Sequence, residues 1–303
     1  MRRRIKDILR LTRCNEYTWQ VVVCTLVGAA AVKGRLGWPL VGVLVANWLA
    51  VGFAFMINDV EDAPDDARDP AKARRNPVSA GDLSLRDARL ASYAVAAGAA
   101  AAYALLGLWP FALGLACLVL GQLYSWRRVR LKQLPILDLA SHSLMLAGLQ
   151  FLAAVYVFGT PQGTRWLYPF ATLVAISMYG ELHNEVRDRE GDLKAGLEHT
   201  ANLVGPTASR WLMAACLTVA LGTGAVALFV NQLFPTWVLL AIAGLVPLLI
   251  ALEMFKAWRA RTRVNLEGAF HKPFEMAGAI SMLACFVWPW LAPRLSLLLW
   301  LRR

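Results

Sequence analysis

Charge is scarce in this chain. Asp, Glu, Lys and Arg make up 17% of its 303 residues and there are four histidines, whereas an average soluble domain carries about 25% charged residues. That shortage excludes a disordered chain, which needs high charge and few apolar residues to stay unfolded, and it argues against an ordinary soluble enzyme. The five cysteines, Cys14, Cys24, Cys117, Cys216 and Cys285, are odd in number, scattered and free of any CxxC pair. Neither a disulfide framework nor a zinc site is indicated, and they read as small apolar side chains. No small-residue cleavage site follows the first apolar block, so MRRRIKDILRLTRCNE reads as the entry to a retained first helix, not as a signal peptide.

What is abundant is hydrophobicity: 58% of the residues are apolar and the mean hydropathy is +0.50. The apolar residues fall in long blocks, each near the roughly 20 residues that a helix needs to span a bilayer. Nine blocks can be marked, over residues 17–33, 37–57, 88–108, 109–125, 136–159, 165–183, 208–230, 235–254 and 274–296, the last expected to be broken by Pro289 and Pro293. The expected fold is an all-α integral membrane protein of about nine transmembrane helices, preceded by a basic segment at 1–16. Residues 17–303 form one domain in this reading.

The formal charge of +11 raises nucleic acid as a partner, but in a membrane protein Lys and Arg first report topology. Of the 31 basic residues, 25 fall in the N-terminal segment and in the connections that share its side. Lys33, Arg35, Arg165, Arg294, Arg302 and Arg303 make up the rest. The positive-inside rule therefore makes the N-terminus cytoplasmic, and no nucleic-acid partner is expected. The acidic residues are more selective still. Fourteen of 20 lie within residues 59–87 and 181–198, two connections on the same side.

The first cluster, INDVEDAPDDARDPAKARRNPVSAGDLS, places Asn58, Asp62 and Asp66 four residues apart with Asp59, Glu61, Asp65 and Asp69 interleaved. On a helix a four-residue step turns about 400°, so the three share a face; Pro64 is expected to kink the turn. The second, YGELHNEVRDREGDLKAGLEHT, places Glu181, Glu185, Asp188 and Asp192 on one face with Asn184 alongside. Stacked like charges destabilise a helix, and a bound cation would remove that cost. Oxygen donors without clustered His or Cys favour Mg²⁺, which keeps waters and binds through a few carboxylates plus a substrate phosphate. Two such clusters suggest two ions shared with a diphosphate.

Nearby cations fit an anionic substrate: Arg68, Lys72, Arg74 and Arg75 beyond the first cluster, and Arg187, Arg189 and Lys194 within the second. A third connection, LYSWRRVRLKQLP, adds Tyr124, Arg127, Arg128, Arg130 and Lys132 at the membrane boundary, where an interfacial anchor and a phosphate ligand set have the same composition. His183 and His142 are more readily structural than catalytic. Asp138 and Glu275 read as helix-end caps, and Glu253 as the partner of Lys256.

At these residues the sequence resembles the UbiA-type intramembrane prenyltransferases. The family's NDxxDxxxD signature is similar to Asn58, Asp59, Asp62 and Asp66, and its DxxxD to Asp188 and Asp192. Residues 77–81, 124–132 and the entry from Arg10 to Trp19 also look like family segments, although Asn76 stands where the family usually has Arg. The resemblance implies nine helices around a lipid-embedded chamber and transfer of a polyprenyl group from its diphosphate to a hydrophobic or amphipathic acceptor. It implies metal ligation by Asn58, Asp59, Asp62, Asp66, Glu185, Asp188 and Asp192, with Asp62, Asp66, Asp188 and Asp192 central to catalysis. Diphosphate contacts are implied for Arg68, Tyr124, Arg128, Arg130 and Lys132, and acceptor contacts for Asn15, Asn184 and His183. The setting is a cell (inner) membrane with the site facing the cytoplasm.

Two other readings use the same features. A terpene cyclase on this scaffold would ionise the same donor without an acceptor. An ion-coupled transporter would also span the membrane many times, but it would bury ionisable residues near the midplane, and the helix centres here are nearly free of charge.

Overall fold

The structure, a computed structural model, describes residues 2–194, 196–260 and 266–300, and every regular element among them is helical. Of the cations invoked above, Lys194, Arg294, Arg302 and Arg303 lie outside the residues whose side chains are described. In chain order the helices are α1 (Arg2–Thr12), α2 (Cys14–Ala31), α3 (Trp38–Asp66), α4 (Pro70–Arg75), α5 (Leu85–Ala104), α6 (Leu108–Ser125), α7 (Leu137–Ser143), α8 (Leu149–Phe158), α9 (Leu167–Lys194), α10 (Thr200–Ala225), α11 (Thr236–Arg259) and α12 (Leu266–Trp300).

Among the described residues six stretches are long and apolar enough to cross a membrane: Trp38–Asp66, Leu108–Ser125, Leu137–Phe158, Thr200–Val230, Thr236–Arg259 and Lys272–Ala292. The three other expected spans coincide with α2, α5 and α9, which are helical but more polar. Charge explains two of these: α5 opens with Arg86, Asp87 and Arg89, and the last third of α9 carries the second acidic cluster.

Helix length decides where the acids go. At about 1.5 Å per residue, the 29 residues of α3 and the 28 of α9 reach over 40 Å, beyond a hydrocarbon core about 30 Å thick. Their surplus turns, carrying Asn58 to Asp66 and Glu185 to Asp192, stand past the apolar part of the bundle. Helix α3 continues through Pro64, which lies on its exposed side, and α12 is unbroken at Pro289. The expected break in the last span is thus absent, because a missing proline hydrogen bond is tolerated inside a packed or membrane helix. The fifth span is interrupted by a π turn, Leu144–Gly148, between α7 and α8, and a second π turn, Val226–Val230, follows α10.

Helix α3 is the hub, packing on α2, α5, α6 and α8, while α9 packs on α10 and α7, and α12 on α2 and α11. Helices α10 and α11 bury little; Trp211, Leu221, Leu240 and Leu248 stand outward, an apolar surface that suits lipid and not water. Inside the bundle Asn47 is fully buried. It donates to Thr25 Oγ1 (2.8 Å) and to the Gln150 carbonyl (3.1 Å), and accepts from Tyr103 OH (2.6 Å). Gln150 Nε2 donates to the Leu146 carbonyl (2.6 Å) in the π turn, and Gln20 reaches the same carbonyl (3.3 Å), so the backbone groups loosened by the turn find side-chain partners. Gly28 permits a close backbone approach of α2 to α8: a Cβ there would stand 2.5 Å from the Phe151 carbonyl oxygen. All five cysteines are free.

Because Asn47 ties α3 to three other helices through satisfied bonds, Asn47→Leu is expected to lower stability by about 1–3 kcal/mol, and Tyr103→Phe, which removes one bond, by less. Thermal unfolding of the two variants in detergent checks the order; equal melting temperatures for Asn47→Leu and the parent would show that the network contributes nothing.

Candidate active site at the polar end of the bundle

The surplus turns of α3 and α9 border one cavity of about 220 Å³. Asp62, Asp65, Asp66 and Lys72 line one wall, and Glu181, Asn184, Glu185, Asp188 and Asp192 line the other. The end of α6, with Tyr124, and the segment after it, with Arg130, Lys132 and Gln133, close the cavity, and the residue before α10 adds His199. The two acidic runs, over a hundred residues apart in the chain, thus meet across a single space.

In the first cluster the cations are built in. Lys132 Nζ donates to both oxygens of Asp62 (2.7 and 2.5 Å) and to Asn58 Oδ1 (3.0 Å), which also accepts from Ser125 Oγ (3.1 Å). One Arg130 nitrogen reaches Asp62 Oδ1 (3.2 Å) and Asp65 Oδ2 (3.0 Å). Arg130 adopts φ 49°, a left-handed conformation that costs a non-glycine residue free energy and is tolerated where surroundings impose it. Asp66 is buried and accepts from Asn76 Nδ2 (2.9 Å), which also donates to the Asp59 carbonyl (2.7 Å). Asn76 itself is fully buried, so it orients Asp66 without cancelling its charge.

The second cluster is tied to the start of α10. Gly196, at φ 68°, turns the chain after α9 and brings His199 back against it. His199 Nδ1 lies 3.3 Å from Glu185 and its Nε2 lies 3.2 Å from Asp192. Burial opposes charge on this imidazole, but the hydrogen bond to Asp192 and the adjacent Glu185 carboxylate prevail and hold its pKa up to about 9. Asp138 supplies the N-terminal cap that His199 lacks: it accepts from Thr200 N (2.5 Å) and Thr200 Oγ1 (2.6 Å) across helices. Glu185 Oε2 accepts from Ala201 N (2.9 Å), while its Oε1 is buried without a hydrogen-bond partner among the described residues. A carboxylate oxygen left open at a cavity of carboxylates, with oxygen donors dominant, fits a hard divalent cation such as Mg²⁺. Among the described residues no three His, Cys, Asp or Glu side chains converge as a ready ion cage; Lys132, Arg130 and His199 hold the acids instead.

Of the residues singled out in the sequence, Asp62, Asp66, Glu185, Asp188, Asp192, Tyr124, Arg130, Lys132 and Asn184 line the cavity. Asn58 sits one turn deeper, beneath Lys132. Asp59 faces the other way: one residue along a helix turns about 100°, which points it at Arg13 (3.1 Å), whose left-handed backbone sits between α1 and α2. Arg68 and Arg128 are exposed and outside the cavity lining, the latter 5.7 Å from the Trp126 ring. Asn15 is exposed on α2, and His183 stacks on Tyr179 at 6.3 Å; neither lines the cavity. Tyr124 donates its proton to Glu181 Oε1 (2.7 Å), which withdraws that donor from the diphosphate contact expected of it. The sequence reading missed His199 and Gln133. The signal for His199 is Gly196, a turn residue placed directly after the acidic helix face.

A family model described as the UbiA prenyltransferase family matches residues 21–272. Among solved structures, a UbiA homologue from Archaeoglobus fulgidus bound to GPP and Mg²⁺ is 22% identical and superposes with a TM-score of 0.66, covering 93% of this chain and 98% of its own. A UbiA homologue from Aeropyrum pernix is 20% identical with a TM-score of 0.66, covering 90% and 97%. A digeranylgeranylglyceryl phosphate synthase is 14% identical with a TM-score of 0.64, covering 95% and 99%. No curated protein sequence matches the chain.

The Arg13–Asp59 pair is nearly enclosed, with side-chain exposures of 11% and 1%. Removing the cation alone leaves a buried charge, so Arg13→Met is expected to cost about 3–5 kcal/mol. Adding Asp59→Asn restores most of it if Asp59 serves this pair. A double-mutant cycle of melting temperatures reads the outcome, and an additive result would separate the two residues.

Proposed function

The chain belongs to the UbiA prenyltransferase family, and from that premise we propose that it transfers a polyprenyl group from an allylic diphosphate to a membrane-associated acceptor, an aromatic quinone precursor or a lipid, releasing diphosphate. The observation that carries the reading is the meeting of two acidic helix ends across one cavity beside Lys72, Arg130 and Lys132. That combination suits a metal-bridged diphosphate, since the carboxylates take the ions and the cations take the phosphate oxygens.

Asp62 and Asp66 on α3, with Glu185, Asp188 and Asp192 on α9, would hold two Mg²⁺, with Asn58 behind Asp62. Bound there, Mg²⁺ supplies Lewis-acid neutralisation of the departing diphosphate. Lys132 and Arg130, which hold Asp62 in its absence, lie where they can turn to the phosphate oxygens. The apolar bundle below the cavity receives the prenyl chain and limits the water that reaches the allylic cation before the acceptor attacks. The A. fulgidus homologue was solved with GPP, with DMAPP and with Mg²⁺, which supports an allylic donor of this kind. The bundle sits in the membrane with nine crossings, its N-terminus and the site at the cytoplasmic face, following the one-sided distribution of Lys and Arg.

Purified protein in detergent is expected to release diphosphate from geranyl diphosphate only with Mg²⁺, and chelation should abolish the release. Asp62→Ala and Asp188→Ala should each reduce it by at least about 100-fold, the scale of losing a preorganised electrostatic group. Unchanged release in both variants would overturn the assignment of the two clusters. Mass spectrometry of the products separates transfer from cyclisation.

A further inference from the structure

Tyr124, Glu181 and His142 form a chain of hydrogen bonds that the diphosphate chemistry does not use. Tyr124 OH donates to Glu181 Oε1 at 2.7 Å, and His142 Nε2 lies 3.2 Å from Glu181 Oε2. The other His142 nitrogen is 3.4 Å from Ser177 Oγ, which ties the ring to α9 below the cavity. The Tyr124 and His142 rings are 6.1 Å apart. Tyr124 and Glu181 line the cavity, and His142 backs them from α7.

The direction of these bonds is what matters. A tyrosine hydroxyl has one proton and two lone pairs, and an ionised carboxylate only accepts. With its proton committed to Glu181, Tyr124 offers the cavity lone pairs alone, and Glu181 offers the same. A diphosphate also has only acceptor oxygens, so this wall repels it, and the diphosphate is left to the Arg130, Lys132 and Lys72 side. What the wall can bind is a group with a proton to give.

We propose that Tyr124, Glu181 and His142 form the acceptor side of the site, recognising a hydroxyl-bearing acceptor and taking its proton. This rests on the prenyl-transfer reading above. In the step, the bond from the donor C1 to the diphosphate oxygen breaks and its electron pair leaves with diphosphate. The acceptor oxygen bonds to C1, its proton passes to the Tyr124 oxygen, and the Tyr124 proton passes to Glu181. His142 is a positioning residue that holds the second Glu181 oxygen, and it does not touch the substrate.

The test uses the smallest hydroxyl acceptors, water and methanol, with geranyl diphosphate, Mg²⁺ and the full chain in detergent. Three quantities are read: diphosphate released, geraniol plus geranyl methyl ether formed, and the affinity for Mg²⁺ alone by titration calorimetry. Expected is oxygen capture by the parent protein, and a fall of at least about tenfold in captured product per diphosphate in Glu181→Gln. Tyr124→Phe, which removes a single oxygen, should show the same fall, with Mg²⁺ affinity kept in both. His142→Gln, able to donate the same bond, should retain more capture than His142→Ala. Loss of Mg²⁺ affinity in Glu181→Gln would make Glu181 a metal ligand and overturn the proposal. So would an unchanged capture ratio in both variants, or a parent protein that yields only hydrocarbons. A parent protein that releases no diphosphate at all would instead overturn prenyl transfer itself.

Discussion

Carboxylates gathered at the rim of an apolar bundle repel one another and have little water to screen them, so each must find a cation or a donor. The polar end of this protein is arranged around that requirement. Lys132 occupies both oxygens of Asp62, Arg130 spans Asp62 and Asp65, His199 stands between Glu185 and Asp192, and Arg13 is enclosed with Asp59. Three of these contacts come with unusual backbone: Arg130 and Arg13 take left-handed conformations, and Gly196 reverses the chain so that His199 can return to α9. The same compensation is compatible with the proposed metal binding, because groups that neutralise acids without a metal can yield them to one.

The apolar part of the bundle carries this end at a fixed height. Helices α3 and α9 exceed the membrane thickness, so their last turns emerge together, and the Asn47 network and the close approach at Gly28 lock α2, α3, α5 and α8 below them. In hydrocarbon a polar side chain finds no water, which gives a satisfied Asn47 its structural value. The outward apolar surfaces of α10 and α11 need no such network, since lipid itself solvates them.

Much of the site was legible from spacing. A four-residue step on a helix is nearly a full turn, so Asp62 and Asp66, and Glu181, Glu185, Asp188 and Asp192, had to share faces once the segments were helical, and both faces line one cavity. Neighbours in sequence were less readable. Asp59 belongs to the acidic signature yet turns toward Arg13, and Arg68 and Arg128 share composition with Arg130 and Lys132 but stand outside the cavity. Composition places all four cations near the membrane boundary; which of them turns inward depends on the fold of the α3–α4 connection, which holds Arg68, and of the segment after α6, which holds the other three. The expected break at Pro289 failed for a related reason, since a missing backbone donor interrupts a helix only where packing does not carry it through.

The sequence by itself determined the all-helical, membrane-borne class, the one-sided charge and the two acidic faces, because hydrophobic block length and helical period are local properties read along the chain. Tertiary structure decided that the two faces meet across one cavity, that Tyr124 gives its proton to Glu181, and that His199 belongs to the site at all. These depend on the direction of individual hydrogen bonds and on a turn between helices, and such relations are set only when distant segments pack.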